Sequence, residues 1–534
     1  MSGNSGRLTR VLRGLVMGCC LLAGIAMATD SSNNNTLVAT EQGPVQGVTT
    51  AQGREFLGIP YAAPPVGALR WQPPQAAARR QGVLVADHFA NNCPQFGTPF
   101  GLQSFNEDCL FLNVYTPRPR TGLRKDPVMV WIHPGAFQFG ESNDWDPRKM
   151  VDRGVVVVTI NYRLGALGFL AHPALTAESR DRSSGNYGLM DQQAALRWVR
   201  RNIARFGGDE DNITIFGESA GGLSVHAHLV SPQSRGLFRR AIVQSGAYNI
   251  DTPSLAAAEQ TGLAFGNLVG CTAQDAQCLR NVPVPIVLAN QIPTTLGFLP
   301  NTDNRLLPLT FRQAFTQGKF NRVPVIEGSV HDEFRLFLPL FFDFVTGPLT
   351  ADAYPGALSL LFGLPPEQVA PIIAQYPLAN YASPSLALGA ATTDGIFACN
   401  MQTSTQLISR HTPTWVYEFN DPTAPQIFLP PASFPYGAAH ESELQYFFDV
   451  TTTLPPMPLN ADQERLSRDM VSYWTNFAYI SNPNGLISPL WIRFNALTDS
   501  YQTMVTPRPQ VYSGRAFTRD HKCDFWSSFN NPSR

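Results

Sequence analysis

Charge is scarce in this sequence. Asp, Glu, Lys and Arg make up 15% of its 534 residues, and 39 basic side chains nearly cancel 40 acidic ones, for a formal net charge of −1. No block of like charge occurs, which argues against a nucleic-acid surface, a polybasic membrane patch, or a substrate gathered by long-range charge. Cysteine is also sparse. None of the eight is spaced Cys-x-x-Cys, and only Cys523 has a histidine close by; a zinc site is not expected, and nothing else calls for a metal or organic cofactor. The apolar run from Leu15 to Ala28 falls short of the roughly 20 residues that span a bilayer. Internal repeats, low-complexity tracts and clear linkers are missing, so neither a solenoid nor a string of modules is expected.

What is present begins with an export signature. Arg7, Arg10 and Arg13 precede the apolar run, and Ala26-Met27-Ala28 closes it in a small-x-small cleavage pattern. Residues 1–28 are predicted to be a removed signal peptide, giving a secreted or periplasmic protein without a stable membrane anchor, and 29–534 a single domain. Cys19 and Cys20 would leave with the leader. Cys93, Cys109, Cys271, Cys278, Cys399 and Cys523 remain, an even number that reads as disulfides in an exported chain. Short separations favour Cys93–Cys109 and Cys271–Cys278, which leaves Cys399–Cys523.

The 44% of apolar residues supplies a large core, and its patterning is that of alternating strands and helices. Residues 37–48 read as an opening hairpin turned at Gly43-Pro44. Strands are predicted at Leu110 to Tyr115, Pro127 to Ile132, Gly154 to Ile160, around Thr214, Ala241 to Gly246, Val323 to Ile326 and Thr414 to Phe419. The run Val155 to Val158 has no polar face, as a strand covered on both sides requires. Helical spacing occupies 189–205 and 461–480, the latter read as the last helix. This is a doubly wound α/β pattern with a large, mostly parallel central sheet flanked by helices. A helical insertion, about 334–400, carries Phe334, Phe337, Phe341, Phe342 and Phe344, an apolar wall or lid.

The organising stretch is Thr214 to Gly222. Apolar residues run into Gly217-Glu218-Ser219-Ala220-Gly221, and an apolar helical pattern follows. Such a Gly-x-Ser-x-Gly turn holds a serine hydroxyl out on a sharp strand-to-helix bend. Its glycines are needed where two backbones pass too close for a Cβ, and Ala220 offers an N–H at the helix start. An incidental serine in a glycine-rich turn would give the same five residues, so the rest of the chain decides. A serine hydroxyl needs a histidine base, itself oriented by a carboxylate, and with this turn the order is Ser, acid, His. His411 lies at the wrong end of the Trp415 strand, and His521, beside Cys523, reads as packing or surface. His440, in a loop of small residues, is the best base. For the acid, Glu327, Asp332 and Glu333 all follow the Val323 strand, and pattern alone does not choose. An oxyanion needs fixed N–H donors; Gly135 and Ala136, in His133-Pro134-Gly135-Ala136-Phe137, would join Ala220.

These pieces resemble the type-B carboxylesterase/lipase family, which includes the cholinesterases. The matches are Phe56 to Ala62 with Pro64-Pro65, Glu107-Asp108-Cys109-Leu110-Phe111-Leu112-Asn113-Val114, Gly185 to Gln192, Asn202 to Asp209 and Phe216 to Gly222. They span nearly the whole mature chain. The resemblance implies the α/β-hydrolase fold and an exported serine carboxylesterase, with Ser219 as nucleophile, His440 as base and Glu333 as acid. It also supports the three cysteine pairs, and it aligns Glu218 and Glu443 with acidic residues near the family's active site. A small-molecule or lipid-like ester is then the substrate. Three departures bear on function. Pro134 and Ala136 replace glycines of the usual His-Gly-Gly-Gly-Phe, which crowds the pocket; Phe334 replaces the glycine after the acid; and the Cys93–Cys109 loop carries no tryptophan, against a choline-ester specialist. An amidase or peptidase with the same triad, and a non-catalytic adhesion protein on the same fold, are the other readings.

Overall fold

Alternate residues of the central strands feed two separate cores, and this sets the architecture. On the strand Val156–Ile160 every side chain is buried: Val156, Val158 and Ile160 join one apolar cluster and Val157 the other. Asp126–Ile132 divides likewise, with Val128, Val130 and Ile132 on one face and Met129 and Trp131 on the other. A strand read this way must lie inside a sheet with helices on both faces. The computed structural model describes residues 36–118, 124–291, 297–455 and 457–529; the predicted leader lies outside them.

Among the described residues the central sheet has 11 strands. In chain order they are β1 (Val48–Thr49), β2 (Gly53–Pro60), β3 (Phe111–Pro117), β4 (Asp126–Ile132), β5 (Val156–Ile160), β6 (Gly208–Glu218), β7 (Arg240–Gln244), β8 (Val325–Val330), β9 (Thr414–Phe419), β10 (Ser500–Met504) and β11 (Gln510–Ser513). Across the sheet they run β1-β2-β3-β5-β4-β6-β7-β8-β9-β10-β11. Pairing is antiparallel from β1 to β5, parallel from β5 through β10, and antiparallel again at β11. This is the α/β-hydrolase arrangement expected from the sequence. The helices that matter for the site are α1 (Tyr187–Asn202), α2 (Ala220–Val230), α3 (Cys399–Ser409), α4 (Ala461–Ile480) and α5 (Cys523–Phe529). For α4 the predicted bounds hold to the residue. Asn460 and Gln463 form a reciprocal capping box at its start, and Leu466, Met470, Trp474 and Phe477 are its buried stripe.

Several local expectations are corrected. The opening hairpin joins Leu37–Thr40 to Gly43–Gln46, so its turn is Glu41-Gln42, and Gly43-Pro44 already belongs to the second strand. β8 begins at Val325, past Pro324, and runs on to Val330, which places Glu327 inside the sheet. α4 is not the last helix: β10, β11, a helix at Gly514–Asp520 and α5 follow it. The cysteines pair as Cys93–Cys109, Cys271–Cys278 and Cys399–Cys523. Among the described residues no single helix is long and apolar enough to cross a membrane; only the pair Tyr354–Phe362 and Pro366–Asn380, bent by 100°, has that length and composition together.

Candidate active site

A one-residue bend at Ser219 joins β6 to α2. Ser219 sits there at φ 54°, ψ −119°, a conformation that side-chain-bearing residues rarely adopt and that only surrounding structure can enforce. The enforcement is visible. The Ser219 N–H donates to the Gln244 carbonyl at 2.9 Å, and its own carbonyl accepts from Leu223 N at 2.8 Å, starting α2. A Cβ on Gly217 would stand 2.5 Å from the Gly221 carbonyl carbon, and one on Gly221 would stand 1.9 Å from the Ile132 carbonyl oxygen. The glycines two residues either side of Ser219 are thus fixed by backbone proximity, as their spacing predicts. Gly221→Ala is expected to cost about 3 kcal/mol, because two backbones must part to admit one methyl group; urea unfolding compared with the unsubstituted chain measures it.

The same close approach brings the start of α2 against the loop that leaves β4. In that loop Gly135, Ala136 and Phe137 all have positive φ, at 112°, 53° and 59°. A Cβ on Gly135 would meet the Phe139 carbonyl at 1.9 Å, so this glycine is required; Ala136 accepts a left-handed backbone that favours glycine. His133 stiffens the loop from below. Its ring stacks on Tyr162 at 4.4 Å, Tyr162 Oη donates to the His133 carbonyl at 3.0 Å, and burial pushes the imidazole down to about 4, so it stays uncharged.

His440 lies in the loop after β9 and is 1% exposed. Its Nδ1 is 2.5 Å from Glu333 Oε2, and its backbone N–H donates to the Glu333 carbonyl at 3.3 Å. The other Glu333 oxygen accepts from Val330 N at 3.0 Å, which holds the carboxylate from its far side. The three carboxylates left open by the sequence are therefore separated by geometry. Glu327, inside β8, accepts from Ser404 and Thr405 of α3 at 2.5 and 2.9 Å and faces His226. Asp332 clamps the two loops together: it accepts from Ala438 N at 3.0 Å and pairs with Arg335 at 2.9 Å. Only Glu333 meets His440. Phe334 needs no left-handed backbone; its N–H donates to Thr393 Oγ1 at 3.0 Å.

The far ring nitrogen, Nε2, does not reach the serine. It lies 3.2 Å from Glu218 Oε1 without forming a hydrogen bond, and both Glu218 oxygens are also unbonded among the described residues. Ser219 Oγ likewise has no hydrogen-bond partner among them. Four carboxyls crowd this ring. Burial first, then the charges of Glu441, Glu443 and Glu333, hold Glu218 protonated well above the usual carboxylate range. Burial pushes Glu441 up to about 7, against the opposing pull of His440, and Glu443, held by Gln244 Nε2 at 3.3 Å, also to about 7. Burial alone would lower the His440 ring from its ordinary 6.5, but the Glu333 charge and hydrogen bond outweigh it, with Glu441 and Glu443 adding, and the net direction is up.

Three contributors escaped the sequence reading. Phe397 and Thr393 lie in a π-helical stretch, Thr393–Ala398, near the end of the insertion and directly before α3. Phe397 and the expected Phe337 flank the His440 ring at 5.2 and 5.0 Å. Glu441, with φ 65°, lines a small cavity together with Pro134, Gly135, Asp144, Phe100 and Phe428. No local pattern marks these residues, although π-helical insertions recur at functional sites. His521 is not surface: it is buried, bonding Asp394 through Nδ1 and Glu418 through Nε2, both at 2.6 Å.

The chain matches known proteins along almost its full length. The profile of the Carboxylesterase family covers residues 34–526. An acylcarnitine hydrolase of Mus musculus is 35% identical over 506 residues, 89% of this chain and 88% of its own. A para-nitrobenzyl esterase of Bacillus subtilis (strain 168) is 35% identical over 473 residues, 84% and 90%. A fumonisin B1 esterase of Sphingopyxis macrogoltabida is 32% identical over 493 residues, 88% and 86%. These likenesses identify the chain as a member of the carboxylesterase family, a carboxylic ester hydrolase.

Proposed function

We propose that this is an exported serine carboxylesterase working through an acyl-enzyme on Ser219. The observation that carries the reading is the 2.5 Å contact between His440 Nδ1 and Glu333, which leaves Nε2 without a hydrogen bond, 3.2 Å from Glu218, the residue before Ser219. Ser219 Oγ attacks the ester carbonyl and gives its proton to Nε2. The tetrahedral oxyanion is held by the N–H groups of Gly135, Ala136 and Ala220, each worth about 3 kcal/mol in comparable sites. His440 then protonates the departing alcohol, and water repeats the cycle on the acyl-enzyme. Glu218, kept uncharged by burial and its acidic neighbours, does not hold the neutral ring in an ion pair. Glu443, held by Gln244, acts on the ring through its charge.

Aromatic walls at Phe337 and Phe397 favour an apolar acyl or alcohol part, and the names of the relatives support small-molecule esters. The three disulfides support an oxidising compartment, and the leader reading, residues 1–28, supplies a route there. The remainder, 29–534, forms one hydrolase domain in which the insertion at about 334–400 roofs the site. The test is covalent labelling with diethyl p-nitrophenyl phosphate. One diethylphosphoryl group per chain on the peptide containing Ser219, with activity lost in step, is expected. Labelling elsewhere, or full activity after labelling, sinks the proposal. Parallel rates on an aryl ester and its matching anilide separate an esterase from an amidase.

A further inference from the structure

The acids around His440 are more than a base needs. The charges that act on Glu218 come from Glu441, Glu443 and Glu333, all of one sign and all buried. Three atoms of this group, one each from Glu218, His440 and Glu441, lie within 4.8 Å of one another. Two of the three residues are unspent: Glu218 Oε1, Glu218 Oε2 and His440 Nε2 are buried with no hydrogen-bond partner among the described residues. The 3.2 Å between Glu218 Oε1 and His440 Nε2 is close to the edge of a zinc tetrahedron, about 3.3 Å for bonds near 2.0 Å. His440 is also oriented as metal-bound histidines are, with its other nitrogen on a carboxylate that fixes the ring and turns the free lone pair outward.

We propose that Glu218, His440 and Glu441 form an inhibitory site for a zinc-like divalent cation, which on binding takes the lone pair of Nε2 and withdraws the base from Ser219. Binding rests on the geometry alone; inhibition rests also on the reading of His440 as base. One imidazole and two carboxylates, with a fourth position left to water, suit Zn²⁺. They are too few oxygens for Ca²⁺ and the wrong donor set for Mg²⁺. Of the three ligands Glu441 also borders the small cavity lined by Asp144 and Phe100. No bond to substrate is made or broken. The ion replaces protons on the ligands it binds and leaves when chelated.

Two measurements test this. Calorimetry with ZnCl₂ on the full-length Ser219→Ala protein reads the site without turnover, and aryl-ester hydrolysis with added ZnCl₂, MgCl₂ or CaCl₂ reads the effect. We expect one Zn²⁺ per chain, inhibition by Zn²⁺ alone that EDTA reverses, and an inhibitory concentration raised at least tenfold in Glu441→Gln, which still hydrolyses the ester. Glu441→Asp keeps the charge but shortens the reach, and is expected to weaken Zn²⁺ in the same direction if Glu441→Gln folds poorly. Absent binding, or binding that Glu441→Gln and Glu441→Asp leave unchanged, overturns the site and leaves the Ser219 reading standing. Undiminished hydrolysis by zinc-saturated enzyme overturns the inhibition and, with it, His440 as base.

Discussion

Ser219→Ala should reduce kcat on an aryl ester by about 10⁵- to 10⁶-fold, some 7 to 8 kcal/mol of barrier, because a lone nucleophile has no substitute in a triad mechanism. What survives, about 10³-fold over water, would come from the amide donors and from binding. The fold should be nearly indifferent. Ser219 Oγ bonds no described residue, and the hydrogen bonds that hold the bend, to Gln244 and from Leu223, belong to the backbone and remain in alanine. Steady-state rates together with a thermal melt check both halves. A variant retaining a tenth of the activity would refute the mechanism, and one with a collapsed melt would point to a structural role instead.

Glu333→Gln is expected to cost about 10⁴-fold in kcat, the scale seen when the carboxylate of such a triad becomes an amide. Two effects combine. The amide cannot offset the charge of the imidazolium that forms, and its NH₂ can face Nδ1 and hold the wrong tautomer. The pH profile adds a directional test. The base works only when neutral, so activity falls as pH drops through the His440 pKa, which in the intact site stands above the ordinary 6.5 because Glu333 outweighs burial. Without that charge burial gains ground, and the acid limb of the residual activity should move to lower pH. An unmoved or raised limb would mean that another group titrates.

The parts of this enzyme that could be read from sequence are those fixed over a few residues. The Ser219 bend was legible because Gly217 and Gly221 answer to clashes within one turn, and α4 because its caps and stripe are contiguous. Pattern alone did not choose Glu333 over Asp332, since that depends on which carboxylate a ring from a distant loop meets; the family resemblance made the choice. β10 and β11 were missed for a related reason: short strands such as Ser-Tyr-Gln-Thr-Met, at the sheet's end, carry no apolar run to announce them. For His521 the sequence left packing and surface open; the partners that settle it as packing, Asp394 and Glu418, lie 127 and 103 residues away. Phe397 and Glu441 owe their place to packing around His440 alone.

The Cys399–Cys523 bridge spans a sequence separation of 124, and His521 beside it grips Asp394, next to the threonine that caps Phe334. The segment behind the acid is thus braced by residues more than a hundred positions further along the chain. Support of Glu333 is a long-range property: loosening the far end of that tie would reach the acid without touching any residue of the triad.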